Sequence, residues 1–218
     1  MTELNDDARH FLDCLARAAM DEDPFRHWRL DGVLTPKAAQ GLFALPMPEP
    51  EDFIFDGRRE SNNAKRIFFN PEMQEHFPIA AKFAQALQSQ PVIRAIEAAC
   101  ETRLTGTYLR IEFCQDREGF WLEPHTDIGP KKFTMQVYLN EGESAEDWGT
   151  DLFTADKQWR RSVPAAFNSG LIFVPGSRSF HGFRARKIDG IRKSLIVNFV
   201  SEEWRNRHEL AFPGNPAA

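Results

Sequence analysis

His125-Thr126-Asp127, with His181 far downstream, are the residues best placed to do chemistry in this 218-residue chain. A histidine and a carboxylate two positions apart share one side of a β-strand, because side chains alternate faces with period two. Two ligands from one strand and a third histidine from another make a facial triad. Such a triad binds Fe(II) on one side and leaves its other coordination positions open. Arg192 follows His181 by eleven residues, in the apolar run Arg192-Lys193-Ser194-Leu195-Ile196-Val197. Its guanidinium is permanently charged and forked, suited to bidentate capture of a carboxylate. A redox metal with free positions beside a cationic anchor is what an oxygenase consuming a keto acid needs.

As they stand, these residues resemble the 2-oxoglutarate/Fe(II)-dependent dioxygenase superfamily, with a core most similar to prolyl hydroxylases. The matching elements are H-T-D at 125–127, His181, R-K-S at 192–194, Tyr108-Leu109-Arg110-Ile111 and Gly149-Thr150, within residues 104–204. The resemblance implies His125, Asp127 and His181 as catalytic metal ligands. It implies Fe(II), 2-oxoglutarate and O2 as cofactor and cosubstrates, and succinate and CO2 as products beside a hydroxylated substrate. Arg192 would meet the far carboxylate of the keto acid, with Ser194 as a second partner two residues along the same face. Many relatives carry a tyrosine for that carboxylate about five residues after the position matching Leu109. This chain has Cys114 there. Either Tyr108 or Tyr138, its only tyrosines, takes over, or the partner is absent. Tyr138 shares a strand face with Thr134 and Gln136 and is the preferred reading.

The elements that must position these groups divide into two kinds. Residues 7–20 have helical apolar spacing, and 28–34 read as a short strand. Thr35-Pro36 is an N-cap with proline at the first helical position, opening a helix to about Leu45. Pro46-Met47-Pro48-Glu49-Pro50 is a rigid break, and Arg58 to Asn63 an exposed loop. Asn70-Pro71 repeats the cap signal before helices at 71–88 and 91–101. From Leu104 onward short strands follow at 105–114, 121–127, 132–140, 150–154, 171–174, 179–184 and 192–200. Helices first and strands second give an α+β fold, a double-stranded β-helix (jelly-roll) core with the N-terminal helices packed on one sheet. The whole of 1–218 is expected to be a single domain, with a helix-rich part at 1–103 and the catalytic core at 104–204.

Composition sets the remaining limits. A formal charge of −5 argues against a nucleic-acid binder. No run is long enough for a membrane span, and the acidic N-terminus has no secretory pattern. Three cysteines without a C-x-x-C pair read as reduced thiols and a cytoplasmic location. Trp121 and Trp148 either line a substrate mouth or pack in the core. Arg110 meets a substrate anion or faces water. His10, His27, His76 and His208 lack metal-like partners.

Two other functions compete. A cupin-like metal-binding protein or isomerase would use the barrel without a keto acid but leaves Arg192 unexplained. A non-catalytic relative would show a damaged triad, and this one is intact. The expected partner is a small-molecule or peptide substrate, which the sequence does not identify, and it fixes no oligomeric state. The substrate pocket is expected under loops 115–122 and 141–149, with Arg58, Arg59 or Arg66 reaching an anionic group.

Overall fold

The computed structural model describes residues 4–49, 56–58, 66–142 and 144–218. Its centre is a large antiparallel sheet whose strands each carry two chemistries. In strand β11 (Arg192–Val200), Leu195, Val197 and Phe199 alternate with Arg192, Ser194, Ile196 and Asn198. β4 (Tyr108–Asp116) sets Leu109, Ile111 and Phe113 against Arg110, Glu112, Cys114 and Asp116. β6 (Lys131–Tyr138) sets Phe133, Met135 and Val137 against Thr134, Gln136 and Tyr138. Register carries these stripes across the sheet: Ser194 lies between Cys114 and Tyr138, and Ile196 between Glu112 and Gln136.

The apolar stripe packs against helices α1 (Asp6–Ala16), α4 (Pro78–Gln88) and α5 (Gln90–Cys100). Phe11, Leu15, Phe83, Leu87, Ile93 and Ile96 join the strands' apolar residues in one buried cluster. Each such side chain contributes roughly 1.5–3 kcal/mol by leaving water. Helices and core therefore share this hydrophobic interior. The polar stripe faces the other way, toward a second sheet.

The large sheet runs β1-β2-β9-β6-β11-β4-β3, adding β1 (Ala19–Asp21), β2 (His27–Asp31), β3 (Ile67–Phe68) and β9 (Ser169–Phe173). The small sheet runs β5-β10-β7-β8, from β5 (Leu122–His125), β7 (Asp151–Phe153), β8 (Trp159–Ser162) and β10 (His181–Phe183). The fold is the expected α+β jelly roll with helices covering one sheet.

Both expected caps form. Thr35 accepts from the Ala38 amide at 3.2 Å ahead of α2 (Pro36–Phe43), and Asn70 accepts from Met73 at 3.0 Å ahead of α3 (Pro71–His76). Other expectations need correction. The helix expected over 7–20 ends at Ala16; Ala19 and Met20 instead pair with Arg29 and Trp28 as an edge strand. The helix expected over 71–88 breaks at Phe77, whose φ of −126° and ψ of 93° reflect the proline that follows. The strand expected over 121–127 stops at His125, so Asp127 lies in the turn before β6. β8 has no sequence counterpart: it is a polar strip, Trp-Arg-Arg-Ser, at a sheet edge, with no apolar alternation to reveal it. Residues 59–63 of the expected exposed loop lie outside the described residues; Arg58 is exposed.

Candidate active site

His125 ends β5 and His181 opens β10, and the two residues are paired in register. Gly182 makes this close approach possible. A Cβ there would stand 2.6 Å from the Leu122 carbonyl oxygen and 2.9 Å from that of Glu123. The imidazole centroids lie 4.4 Å apart, and Phe173 packs on His181 at 4.6 Å. Asp127 reaches the same point from its turn. One ligand atom from each of His125, Asp127 and His181 lies within 4.8 Å of the other two.

Each imidazole is oriented by its own strand. His125 Nδ1 donates to the Glu123 carbonyl at 2.9 Å, and His181 Nδ1 to the Ser179 carbonyl at 3.0 Å. A carbonyl can only accept, so both Nδ1 atoms carry the proton, and in each ring Nε2 holds the lone pair that can bind a metal. Asp127 is held at both oxygens. Lys131 donates to Oδ1 and Thr134 to Oδ2, each at 2.7 Å, and the carboxylate is buried. Two imidazole nitrogens and a carboxylate oxygen suit a borderline divalent ion such as Fe(II).

These groups border a narrow cavity of about 70 Å³. The large sheet's polar stripe supplies Glu112, Asp116, Lys131, Thr134, Gln136 and Arg192 to its wall, and Phe120, Leu122, Phe173, Phe183 and Ile196 make it partly apolar. Arg192 is buried. Its Nε donates to the Trp148 carbonyl at 2.6 Å, its Nη1 to Asp116 at 2.5 Å, and its guanidinium rests 4.7 Å from the Phe183 ring centroid. Ser194 is fully buried beside it on β11, with Oγ 3.4 Å from Gln136 Nε2.

Tyr138 is placed differently. Its hydroxyl donates to Thr150 Oγ1 at 2.8 Å, which in turn reaches Gln136 Oε1 at 2.5 Å. The phenol is enclosed, and burial pushes its pKa up against the opposing pull of Thr150 and Arg192. It therefore stands one hydroxyl behind the cavity wall. Tyr108 lies elsewhere, under the Arg207 guanidinium.

The alternatives left open for other residues are resolved by packing. Arg110 is buried and ion-paired with Glu112 and Glu209, between the rings of Phe68 and Trp204. Trp148 is a core residue against Phe120 and Phe183. No described residue of 141–149 lines the cavity; that segment instead backs Arg192 through the Trp148 carbonyl. Trp121, from the 115–122 loop, lies over Gly57, where a Cβ would come within 2.1 Å of the indole. Sequence reasoning missed Asp116, Lys131 and Thr134 as site residues. The period-two polar positions on β4 and β6 were the signal that could have found the first and last.

No protein-family model matches the chain, and no curated protein matches it in sequence. Solved structures do match. A prolyl hydroxylase from Trichoplax adhaerens, in complex with a hypoxia inducible factor peptide fragment, is 13% identical over 90% of each chain, with a TM-score of 0.58. A Pseudomonas putida prolyl-4-hydroxylase is 17% identical over 93% of this chain and 98% of its own, with a TM-score of 0.57. A non-heme alpha-ketoglutarate-dependent epimerase from nogalamycin biosynthesis is 12% identical over 89% and 83%, with a TM-score of 0.53. At these identities the likeness is one of architecture: the chain has the jelly-roll fold of the 2-oxoglutarate oxygenases.

Proposed function

We propose that this chain is an Fe(II)- and 2-oxoglutarate-dependent dioxygenase that hydroxylates a small molecule or a peptide. The observation that carries this reading is a cavity bounded by His125, Asp127 and His181 and, on the facing sheet, by the buried guanidinium of Arg192. His125 and His181 bind the metal through Nε2, and Asp127 through a carboxylate oxygen. Bound Fe(II) would supply the redox centre at which O2 is reduced while 2-oxoglutarate is decarboxylated to succinate and a substrate C–H bond is oxidised.

The chain's own residues do the rest. Lys131 and Thr134 hold the Asp127 carboxylate in place before the metal arrives. Arg192 takes the far carboxylate of the keto acid with the guanidinium edge that Asp116 and Trp148 leave over. Ser194 lies on the same face, and Tyr138 fixes Thr150 and, through it, the amide of Gln136. The aromatic and aliphatic wall keeps water from the reacting centre, which strengthens every charge interaction within it. Among the described residues no helix is long and apolar enough to cross a membrane. The free, buried thiols of Cys14, Cys100 and Cys114 support a reducing, cytoplasmic setting.

Succinate release from 2-oxoglutarate, measured with and without Fe(II), tests the assignment. Turnover should require the metal and vanish in His125→Ala, Asp127→Ala and His181→Ala while each variant stays folded. Near wild-type turnover in any of the three would remove the triad, and turnover independent of 2-oxoglutarate would favour the cupin-like alternative.

A further inference from the structure

Among the described residues, three cationic side chains line the cavity, and two are already committed there. Lys131 holds Asp127, and Arg192 is assigned to the keto acid. Arg66 is the third, with no such role. It stands one residue before the Ile67–Phe113 pair, which brings it abreast of Cys114 on the inward face of the large sheet. Its side chain is nine-tenths buried. A guanidinium offers five N–H donors. Among the described residues it meets the Cys114 sulfur, a weak acceptor, and forms a buried ion pair with Glu112, 3.4 Å from Nε, while the charge of Asp116 also acts on it. Glu112 is already bonded to Arg110, which also holds Glu209.

The contrast with Arg110 separates a structural arginine from an available one. Arg110 has two carboxylates, Asn198 and two aromatic faces around it. Arg66 has a thiol and one ion pair, to a carboxylate it shares with Arg110, which leaves N–H donors over, and it lines the cavity. A buried forked donor without matched acceptors is costly, and a ligand oxygen pair is the natural remedy.

The keto acid does not need it. One of its carboxylates sits beside the keto group at the metal, and the other belongs to Arg192 on β11, an interior strand. Arg66 comes instead from the edge: β3 ends the large sheet as β5, which carries His125, ends the small one. Arg66 therefore borders the cavity from the edge strand of the large sheet, two strands from Arg192.

We infer that Arg66 anchors a carboxylate of the primary substrate, so that the enzyme acts on a small carboxylic acid. A single guanidinium balances one monoanionic carboxylate, whereas a phosphate with a charge of about −2 would leave charge uncompensated in this buried position. The inference rests on the oxygenase reading above.

The test uses the full chain loaded with Mn(II) and 2-oxoglutarate, titrated calorimetrically with small carboxylic acids, the common amino acids among them, each beside its amide. At least one acid should bind roughly tenfold more tightly than its amide, the size of a lost charge-assisted pair. Arg66→Gln should erase that preference while changing 2-oxoglutarate affinity far less, and Arg66→Lys should restore part of it. If no acid is preferred over its amide, or if the preference survives Arg66→Gln, the inference is wrong. A loss of 2-oxoglutarate affinity in Arg66→Gln as large as the loss of acid binding would move Arg66 to the cosubstrate and also overturn it. Should Arg66→Gln fail to fold, the acid-over-amide preference in wild type and its weakening in Arg66→Lys decide the matter. Wild-type protein that binds no 2-oxoglutarate at all would instead bring down the oxygenase reading, and this inference with it.

Discussion

Exchanging Asp116 for Asn removes a negative charge from Arg192 while keeping the side chain's shape. Asp116 and Arg192 are both buried and 2.5 Å apart. A keto-acid carboxylate that takes the remaining edge of this guanidinium sits on the order of 5 Å from the Asp116 charge. At an effective dielectric of ~20 the two anions repel by about 3 kcal/mol. Arg192 is held less firmly in the variant, so only part of that is recovered. We expect a gain of about 1.4 kcal/mol, which is a tenfold tighter complex with 2-oxoglutarate. The unliganded protein moves the other way, because stripping one partner from a buried ion pair costs ~3–5 kcal/mol. Asp116→Asn should therefore melt below wild type alone and be stabilised more by 2-oxoglutarate. Calorimetry on the Mn(II)-loaded protein and thermal unfolding with and without the keto acid read both effects. Unchanged or weaker 2-oxoglutarate binding would refute the reasoning, since it would mean that the two carboxylates do not share Arg192.

Arg192→Ala should weaken 2-oxoglutarate binding by roughly ten- to a hundredfold with little change in metal affinity, and Arg192→Lys should recover only part, having charge but no fork; equal affinity in wild type and Arg192→Ala removes the anchor. Gly182→Ala drives a methyl group into the β5 backbone and should cost ~1–3 kcal/mol in urea unfolding. It should also weaken Mn(II) binding by parting His181 from His125, and normal metal affinity would show that the spacing is not critical. Burial pushes the Cys100 thiol from 9.0 up to about 12. The unfolded chain sheds that proton first, so this group's contribution is whole below pH 9 and is lost as the pH rises toward 12. Urea midpoints recorded across that range should fall less steeply in Cys100→Ala.

Much of the fold was legible because it follows local rules. Thr35-Pro36 and Asn70-Pro71 marked helix starts, since capping is decided within four residues. The apolar run from Arg192 read as a strand, with Arg192 and Ser194 on one face. The spacing of His125, Asp127, His181 and Arg192 brought forward the groups that the fold then gathers around one cavity. What stayed hidden depends on distant partners. β1 and β8 are strands only because β2 and β7 offer them backbone pairing. Arg66 was only one of three arginines the sequence offered for an anionic group, because its place is set by a two-residue strand pairing across the fold with β4. Tyr138 shares the expected face, but the register of Thr150 decides where its hydroxyl points.

The Nδ1 atoms of the two metal-facing imidazoles are met by the peptide carbonyls of Glu123 and Ser179. Any residue at positions 123 and 179 presents the same oxygen as long as the strand keeps its path. A change of side chain at the exposed position 123 therefore leaves that acceptor in place, whereas at 179 the buried Ser179 hydroxyl also ties the turn to Gly176. That part of the centre's alignment is carried by backbone atoms, and sequence covariation at position 123 would be blind to it.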